Sequence, residues 1–426
     1  MDRRTFLQMA MVAPMLGQGA RPKPSQQPAS SGLAWTHWGG PYGNFHTDST
    51  GIKDTWRASG PPVVWKRPLG EGYSSPSVEG DVLYTMYGRG LAKAGEEVVI
   101  AADAATGKTL WERATPMTFV SDAAREQGNG PYGTPLIVGE RLFTTGVAGR
   151  LQCLDKKTGK VLWTEQLVAD HRGSLLMYGY APSPVAFRDF VIVPVGGRGR
   201  ALMAFNQADG KVAWSANDWG NAYSTPVLIK AGGLDQLVAL MDGAVIAVNP
   251  LNGDLQWSVP FKADYSIAIS TPVFGPDNLM FVSSEYGGGA KVFELQVSGQ
   301  RTTVKELWSS NRLRLHHGNA IRIGDAIYFS SGGKGSQAIV SAVDARSGNI
   351  YWQQRSIEKA TFVYADNKLI TLDQDGNLMI AYPSKQGFKI AAKAPMMSRL
   401  SWTPPVLVGT RLYLRDRASL TAVELG

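Results

Sequence analysis

One short pattern returns along this chain at nearly constant intervals, and such a recurrence constrains a fold more than any single motif does. An Asp or Asn is followed by a short turn containing Gly, then by an apolar step to Trp. It first reads Asp103-Ala104-Ala105-Thr106-Gly107-Lys108-Thr109-Leu110-Trp111. It returns as Asp155, Gly159 and Trp163, as Asn206, Gly210 and Trp214, as Asn249, Gly253 and Trp257, and as Asp344, Gly348 and Trp352. A stretched copy runs from Gln296 and Gly299 to Trp308. Successive tryptophans lie 43 to 52 residues apart, the length of one four-stranded antiparallel sheet with its turns. Gly supplies the positive φ that closes a hairpin, and the acid or amide before it bonds the turn's own backbone. An indole at the same place in each outer strand can fill the wedge between neighbouring sheets. With about 150–250 Å² of ring at ~25 cal/mol per Å², each contributes roughly 4–6 kcal/mol before entropy. Trp65 joins these six copies, so seven tryptophans are read as core.

A second landmark, usually Ser or Thr followed by Pro, marks the start of each innermost strand. It reads Ser75-Pro76, Thr134-Pro135, Ser183-Pro184, Thr225-Pro226, Thr271-Pro272 and Pro404-Pro405, with degenerate copies at Asn319-Ala320 and Thr361-Phe362. Proline lacks an amide donor and suits a free strand edge. Eight starts predict an all-β, eight-bladed β-propeller of four-stranded antiparallel blades. The last start leaves three strands before Gly426, while Pro62-Val63-Val64-Trp65-Lys66 is a strand preceding the first blade. Pairing the two closes the ring, leaving no long exposed edge. The propeller is therefore expected to span residues 62–426, preceded by an N-terminal extension over 35–61 that packs on it.

The remaining N-terminal residues read as an export segment. Asp2-Arg3-Arg4-Thr5-Phe6-Leu7-Gln8 has the paired arginines, Phe and Leu of a twin-arginine signal, with small and apolar residues through Ala20. A Pro-, Gln- and Ser-rich linker over 21–34 follows. A signal of this type predicts a periplasmic or otherwise exported protein, and the apolar run is too short to leave a transmembrane anchor in the mature chain. The net charge of +8 comes from scattered Lys and Arg, with no basic run interleaved with aromatics, so no nucleic-acid partner is expected. Cys153 is the only cysteine, which excludes an internal disulfide and a thiolate metal cluster within one chain. Its place between leucines reads as a buried small hydrophobe.

The segment Ala101-Ala102-Asp103-Ala104-Ala105-Thr106-Gly107-Lys108-Thr109-Leu110-Trp111 resembles the tryptophan-docking motif of pyrroloquinoline quinone (PQQ) repeat propellers. That resemblance covers residues 62–426. The family includes quinone-dependent alcohol dehydrogenases, a propeller lipoprotein that assists outer-membrane barrel assembly, and exported bacterial proteins of unassigned role. Trp35-Thr36-His37-Trp38-Gly39-Gly40-Pro41 and Leu315-His316-His317-Gly318 look like the last group. For the catalytic relatives the resemblance implies PQQ with calcium, held by carboxylates and covered by adjacent cysteines. One cysteine forbids that pair, there is no Cys-x-x-Cys-His haem motif, and no N-terminal cysteine is present for lipid attachment.

Aligning the eight inner strands puts the residue three before each landmark at one height: Tyr73, Tyr132, Ala181, Tyr223, Ile269, His317, Lys359 and Trp402. These should ring one mouth of the central channel, where propellers bind ligands, with Tyr180 and His316 flanking them. Such a collar suits a small flat or anionic ligand, with Lys359 and Arg399 compensating charge. It equally suits an extended peptide or a quinone, or serves only to plug seams between blades. Adjacent residues of a strand point to opposite sides, so only one of His316 and His317 should face the channel, and no metal site is assigned. His317 is either a general base or a hydrogen-bonding ring member. The long connection from Pro116 to Pro131 is a lid or a surface loop. Tyr286-Gly287-Gly288-Gly289 and Gly196-Gly197-Arg198-Gly199 are expected to be hairpin turns. The sequence thus predicts a periplasmic ligand- or protein-binding module, with a partner in the cell envelope and outer-membrane protein assembly. The alternative is a PQQ-dependent alcohol or sugar dehydrogenase with its base among acids near the mouth.

Overall fold

The computed structural model describes residues 34–90, 95–117, 120–332 and 337–426. The export signal and nearly all of the linker lie outside them. Eight four-stranded antiparallel sheets form a ring. Blade 1 consists of Ser77–Glu79, Val82–Arg89, Gly95–Asp103 and Thr109–Met117. Blades 2 to 7 repeat this order, with inner strands Leu136–Val138, Val185–Phe187, Val227–Ala231, Val273–Phe274, Ile321–Ile323 and Ala360–Ala365. Blade 8 takes Val406–Val408, Arg411–Arg415 and Ser419–Glu424 from the C-terminus and Val63–Pro68 from the N-terminal side. The last two pair antiparallel, Trp65 against Ala422 and Arg67 against Leu420. Among the described residues no helix is long and apolar enough to cross a membrane.

The docking tryptophans explain the repeat. The indole N–H of Trp65 donates to Ala104 O at 3.0 Å, that of Trp111 to Lys156 O at 3.0 Å, and that of Trp163 to Gln207 O at 3.0 Å. Trp214, Trp308 and Trp352 likewise reach carbonyls of Pro250, Ala345 and Ser384 in the next blade. The motif glycine has a second duty beyond its positive φ, because the preceding blade's indole lies flat on it. A Cβ at Gly159 would sit 2.4 Å from the Trp111 ring, and one at Gly107 would sit 2.7 Å from Trp65. Trp257 is the exception. It faces the stretched copy, where strands Gly289–Ser298 and Arg301–Ser310 join through a tight hairpin that offers no docking turn. Trp257 donates instead to Gln236 Oε1 at 2.6 Å, and Gln236 Nε2 donates to Thr302 Oγ1 of blade 5 at 2.8 Å.

The landmark Ser and Thr residues also tie blade to blade. Thr134 N–H donates to Ser183 Oγ at 2.9 Å, and Ser183 N–H donates to Thr225 Oγ1 at 3.0 Å. In the degenerate copy the Asn319 side chain takes this part, accepting from Phe362 N–H at 2.9 Å and donating to Phe362 O at 2.8 Å. Inner strands begin directly after the prolines. The eight residues three positions earlier therefore share one end of the ring, as do the hairpins between second and third strands. Cys153 is buried in the apolar core of blade 2, where burial pushes its thiol up to about 12.

Candidate functional site

At the mouth, five rings that follow from the inner-strand register or flank it form one continuous arc. Tyr132 stacks on Tyr73 with centroids 6.2 Å apart and planes within 5°. Tyr73 stacks on Trp402 at 5.1 Å, Trp402 meets His317 at 4.3 Å, and His317 lies on His316 at 3.8 Å. Tyr286 extends the arc edge-on to His316 at 5.2 Å, its hydroxyl 2.9 Å from Nε2. Across the mouth Tyr223 pairs with Tyr178 at 6.0 Å and accepts the Tyr178 amide at 3.1 Å. Ala181 and Ile269 are half-buried. The rings face one another more than they face solvent: Tyr73, Tyr223 and His316 are buried, whereas Tyr132, His317, Lys359 and Trp402 keep partial exposure.

Several sequence expectations change here. His316 and His317 do not point to opposite sides, because Leu313–Ala320 contains no strand and Gly318 takes a φ of +103°; both rings turn to the mouth and stack. Tyr180 leaves the collar altogether. It is fully buried in the core of blades 2 and 3, with its hydroxyl donating to Pro194 O at 2.8 Å. Arg399 is exposed and held by Asp375 at 3.0 Å, so a carboxylate already meets the charge that was assigned to a ligand. The connection from Pro116 to Pro131 carries a short helix, Asp122–Gln127. It lies against the mouth, where Gly128 O accepts from the Tyr132 hydroxyl at 2.6 Å and Ser121 Oγ donates to Met177 O at 2.5 Å. Both glycine-rich segments are hairpins between second and third strands.

Burial sets the charge state of the collar. It raises the Tyr73 and Tyr223 hydroxyls to about 12, so both are neutral at pH 7. Desolvation, reinforced by nearby Lys359, lowers His316 to about 3, and desolvation with its neighbour His316 holds His317 well below the usual histidine range. Neutral His317 buries an Nδ1 that has no partner. Burial likewise lowers the Lys359 pKa. Its ammonium sits 5.3 Å over the Trp402 ring and 3.4 Å from His316 Nδ1. Among the described residues no carboxylate lies within 4.0 Å of it. The mouth is thus a wall of neutral rings beside a partly desolvated cation, Lys359, on which the Glu285 carboxylate acts from beyond contact distance.

Residues that the inner-strand register could not reveal complete the site. Gln374 Oε1 accepts from Trp402 Nε1 at 2.8 Å, and Arg417 pairs with Glu71 at 3.2 Å. Arg415 is buried behind Tyr73, donating from Nη1 to Thr85 Oγ1 at 2.7 Å and to Ser74 O, while Nε and Nη2 lack partners. Burial lowers its pKa to about 9. Tyr286, Gln374 and Arg417 all lie at second-to-third-strand hairpins, so the signal that would have found them is the polar or aromatic residue one or two places after each second strand.

The residues do not fit PQQ with calcium. Cys153, the sole cysteine, lies in a blade core, and among the described residues no three His, Cys, Asp or Glu side chains converge as a metal site. The carboxylates Asp375 and Glu71 each face an arginine.

Eight blades around an aromatic mouth, six of them stapled to the next by a docking indole, make the chain a PQQ-like repeat propeller. The family model for outer membrane protein assembly factor BamB matches residues 95–354. More than half of the chain is thereby covered, and the chain belongs to that family. Among curated relatives it is 23% identical over 297 residues to outer membrane protein assembly factor BamB of Yersinia pestis, across 66% of this chain and 71% of that protein. The crystal structure of BamB from Moraxella catarrhalis superposes with a TM-score of 0.60 at 17% identity, over 85% of this chain and 99% of the other. Quinohemoprotein alcohol dehydrogenase from Comamonas testosteroni gives 0.64 at 13% identity, over 93% of this chain and 81% of the other. At these identities the two structures speak to the fold alone.

Proposed function

We propose that this chain is an exported, periplasmic binding module of the cell envelope, whose aromatic mouth docks an extended segment of an envelope protein partner in outer-membrane protein assembly. The observation that carries this reading is the preassembled arc from Tyr132 through Tyr73, Trp402 and His317 to His316, with Lys359 beside it and, among the described residues, no carboxylate within 4.0 Å of its ammonium. Rigid rings offer contact area at small entropic cost, and a desolvated cation selects a carboxylate or a carbonyl-rich backbone. The relatives named as outer membrane protein assembly factors support the envelope setting.

Affinity capture from native envelope extract tests it, comparing the wild-type chain with Trp402→Ala and Lys359→Met. Each substitution is expected to reduce partner recovery by about tenfold or more, the loss typical of a central aromatic or charged anchor. Equal recovery by all three would remove the mouth from the interface. The competing dehydrogenase reading is tested by titrating the purified protein with PQQ and calcium. No absorbance change and no shift in Tm are expected, and a bound chromophore that oxidises alcohols in the presence of an artificial acceptor would overturn the binding-module assignment.

A further inference from the structure

Each innermost strand leaves one free edge facing the axis, and backbone groups there need partners once water is displaced. In this chain the partners come from residues 34–47. Trp35 and Val78, the middle residue of blade 1's inner strand, exchange both backbone hydrogen bonds at 2.8 Å. Thr36 O accepts from the amide of Ile137, the equivalent residue in blade 2, at 2.9 Å. Two blades from blade 1 in the other direction around the ring, Tyr364 in blade 7 donates to Phe45 O at 2.9 Å and accepts from Thr47 N–H at 3.1 Å. Between these ends the Trp38 indole reaches Thr271 Oγ1, at the head of blade 5, at 2.8 Å. Trp35 and Phe45 are buried in one apolar cluster with Val78, Ile321, Phe362 and Val406, and Trp38 packs against it. The segment reverses through Gly39 and Gly40, both at positive φ; a Cβ at Gly40 would lie 2.8 Å from the Trp35 ring.

We propose that the channel wall is a recognition site for a tryptophan-bearing peptide that turns back on itself at a glycine pair, and that residues 34–47 are its resident ligand, held in cis. Two modes act together: strand addition at free inner edges, read through the main chain, and aromatic anchors, read through the axial cluster and Thr271. The tether to the propeller passes through Arg57, Ala58 and Ser59, all exposed. A link this short holds the ligand at an effective concentration on the order of millimolar, so even weak segment-to-wall affinity keeps the channel filled. This assignment concerns the channel and is independent of what docks at the mouth.

A sequence-specific protease site inserted between Ala58 and Ser59 of the full chain tests it. After cleavage the N-terminal fragment is expected to co-elute with the propeller in gel filtration. A fluorescent synthetic peptide of residues 34–48 should exchange into cut protein and not into uncut protein. The same peptide with Trp35→Ala and Trp38→Ala should compete about thirtyfold or more weakly, as loss of buried aromatic anchors implies. Immediate release of the fragment with an unchanged Tm, equal competition by both peptides, or unfolding on cleavage would each overturn the proposal, the last by making the segment an element of the fold. Hydrogen exchange gives a second reading without cleavage. Trp38→Ala in the intact chain should speed exchange at the amides of Val78, Ile137 and Tyr364 while the outer strands keep wild-type rates. Unchanged exchange at all three would again overturn it.

Discussion

Acidification from pH 7 to pH 5 is expected to cost this protein on the order of 5 kcal/mol of folding stability, a large share of what a folded domain has. The cause is a set of histidines buried in the neutral form. Desolvation lowers His37 to about 4, desolvation and Lys359 lower His316 to about 3, and His317 lies well below the usual value of 6.5. Each binds its proton in the unfolded chain before it does so in the folded one. Their stabilising contribution is therefore complete above about pH 6.5 and is lost as pH falls toward the folded values, at about 2 kcal/mol each for His37 and His316 by pH 5, with His317 adding in the same direction. His37 Nε2 and His317 Nδ1 have no partner that would welcome a proton, and Lys359 beside His316 opposes a second positive charge. Burial raises the Glu97 pKa, an opposing effect: the folded state takes up that proton at a higher pH than the unfolded chain does, which returns part of the loss as pH falls toward the usual carboxylate range. Urea unfolding at pH 7 and pH 5 measures the loss directly. The variants His37→Gln and His316→Gln should each flatten the pH dependence by about a third, and equal midpoints at both pH values for the wild type would refute the account.

Replacing Gly159 by Ala is expected to destabilise the protein by about 3 kcal/mol or more, whereas Gly139→Ala in the same blade should cost only about 1–2 kcal/mol, the ordinary charge for an L-residue at positive φ. Both glycines have similar conformations, with φ of +68° and +55°. They differ in their surroundings: a Cβ at Gly139 meets nothing within 4 Å, whereas one at Gly159 enters the Trp111 ring. Trp111→Ala, which empties the same wedge and removes the donor to Lys156 O, should cost about 3 kcal/mol. Combining it with Gly159→Ala should cost clearly less than the sum, because the new methyl then has room. Thermal unfolding of the three single variants and the double variant completes the cycle. Strict additivity would show that the indole and the glycine do not act as a unit.

What could be read from residues alone follows from what repeats. Blade number, the seven tryptophans, the proline-marked inner edges and closure by Val63–Pro68 each recur or answer a deficit, and eightfold comparison makes them visible. The same register brought Tyr73, Tyr132, His317, Lys359 and Trp402 to one mouth. What occurs once escaped that comparison. Nothing periodic says that Trp35 and Trp38 turn inward to fill the axis, or that Asp375 intercepts Arg399. The histidine pair failed for a related reason: the strand rule of opposite faces was applied to a stretch that Gly318 bends out of strand geometry. Tyr180 failed because a residue one place from the collar register already belongs to the wedge between blades, where its hydroxyl finds Pro194.

The seam of blade 8 joins residues near position 65 to residues near position 422, so the contact that completes the ring spans almost the whole described chain. Such a pairing cannot form until nearly all of the described chain has been made, because its two strands lie at opposite ends of it. Seven blades can assemble progressively from neighbours, but their latch must wait for the terminal strand, and searching for so distant a partner is slow. A chain stopped before Ser419 would therefore yield an unlatched arc with two adhesive edges, not a slightly smaller wheel.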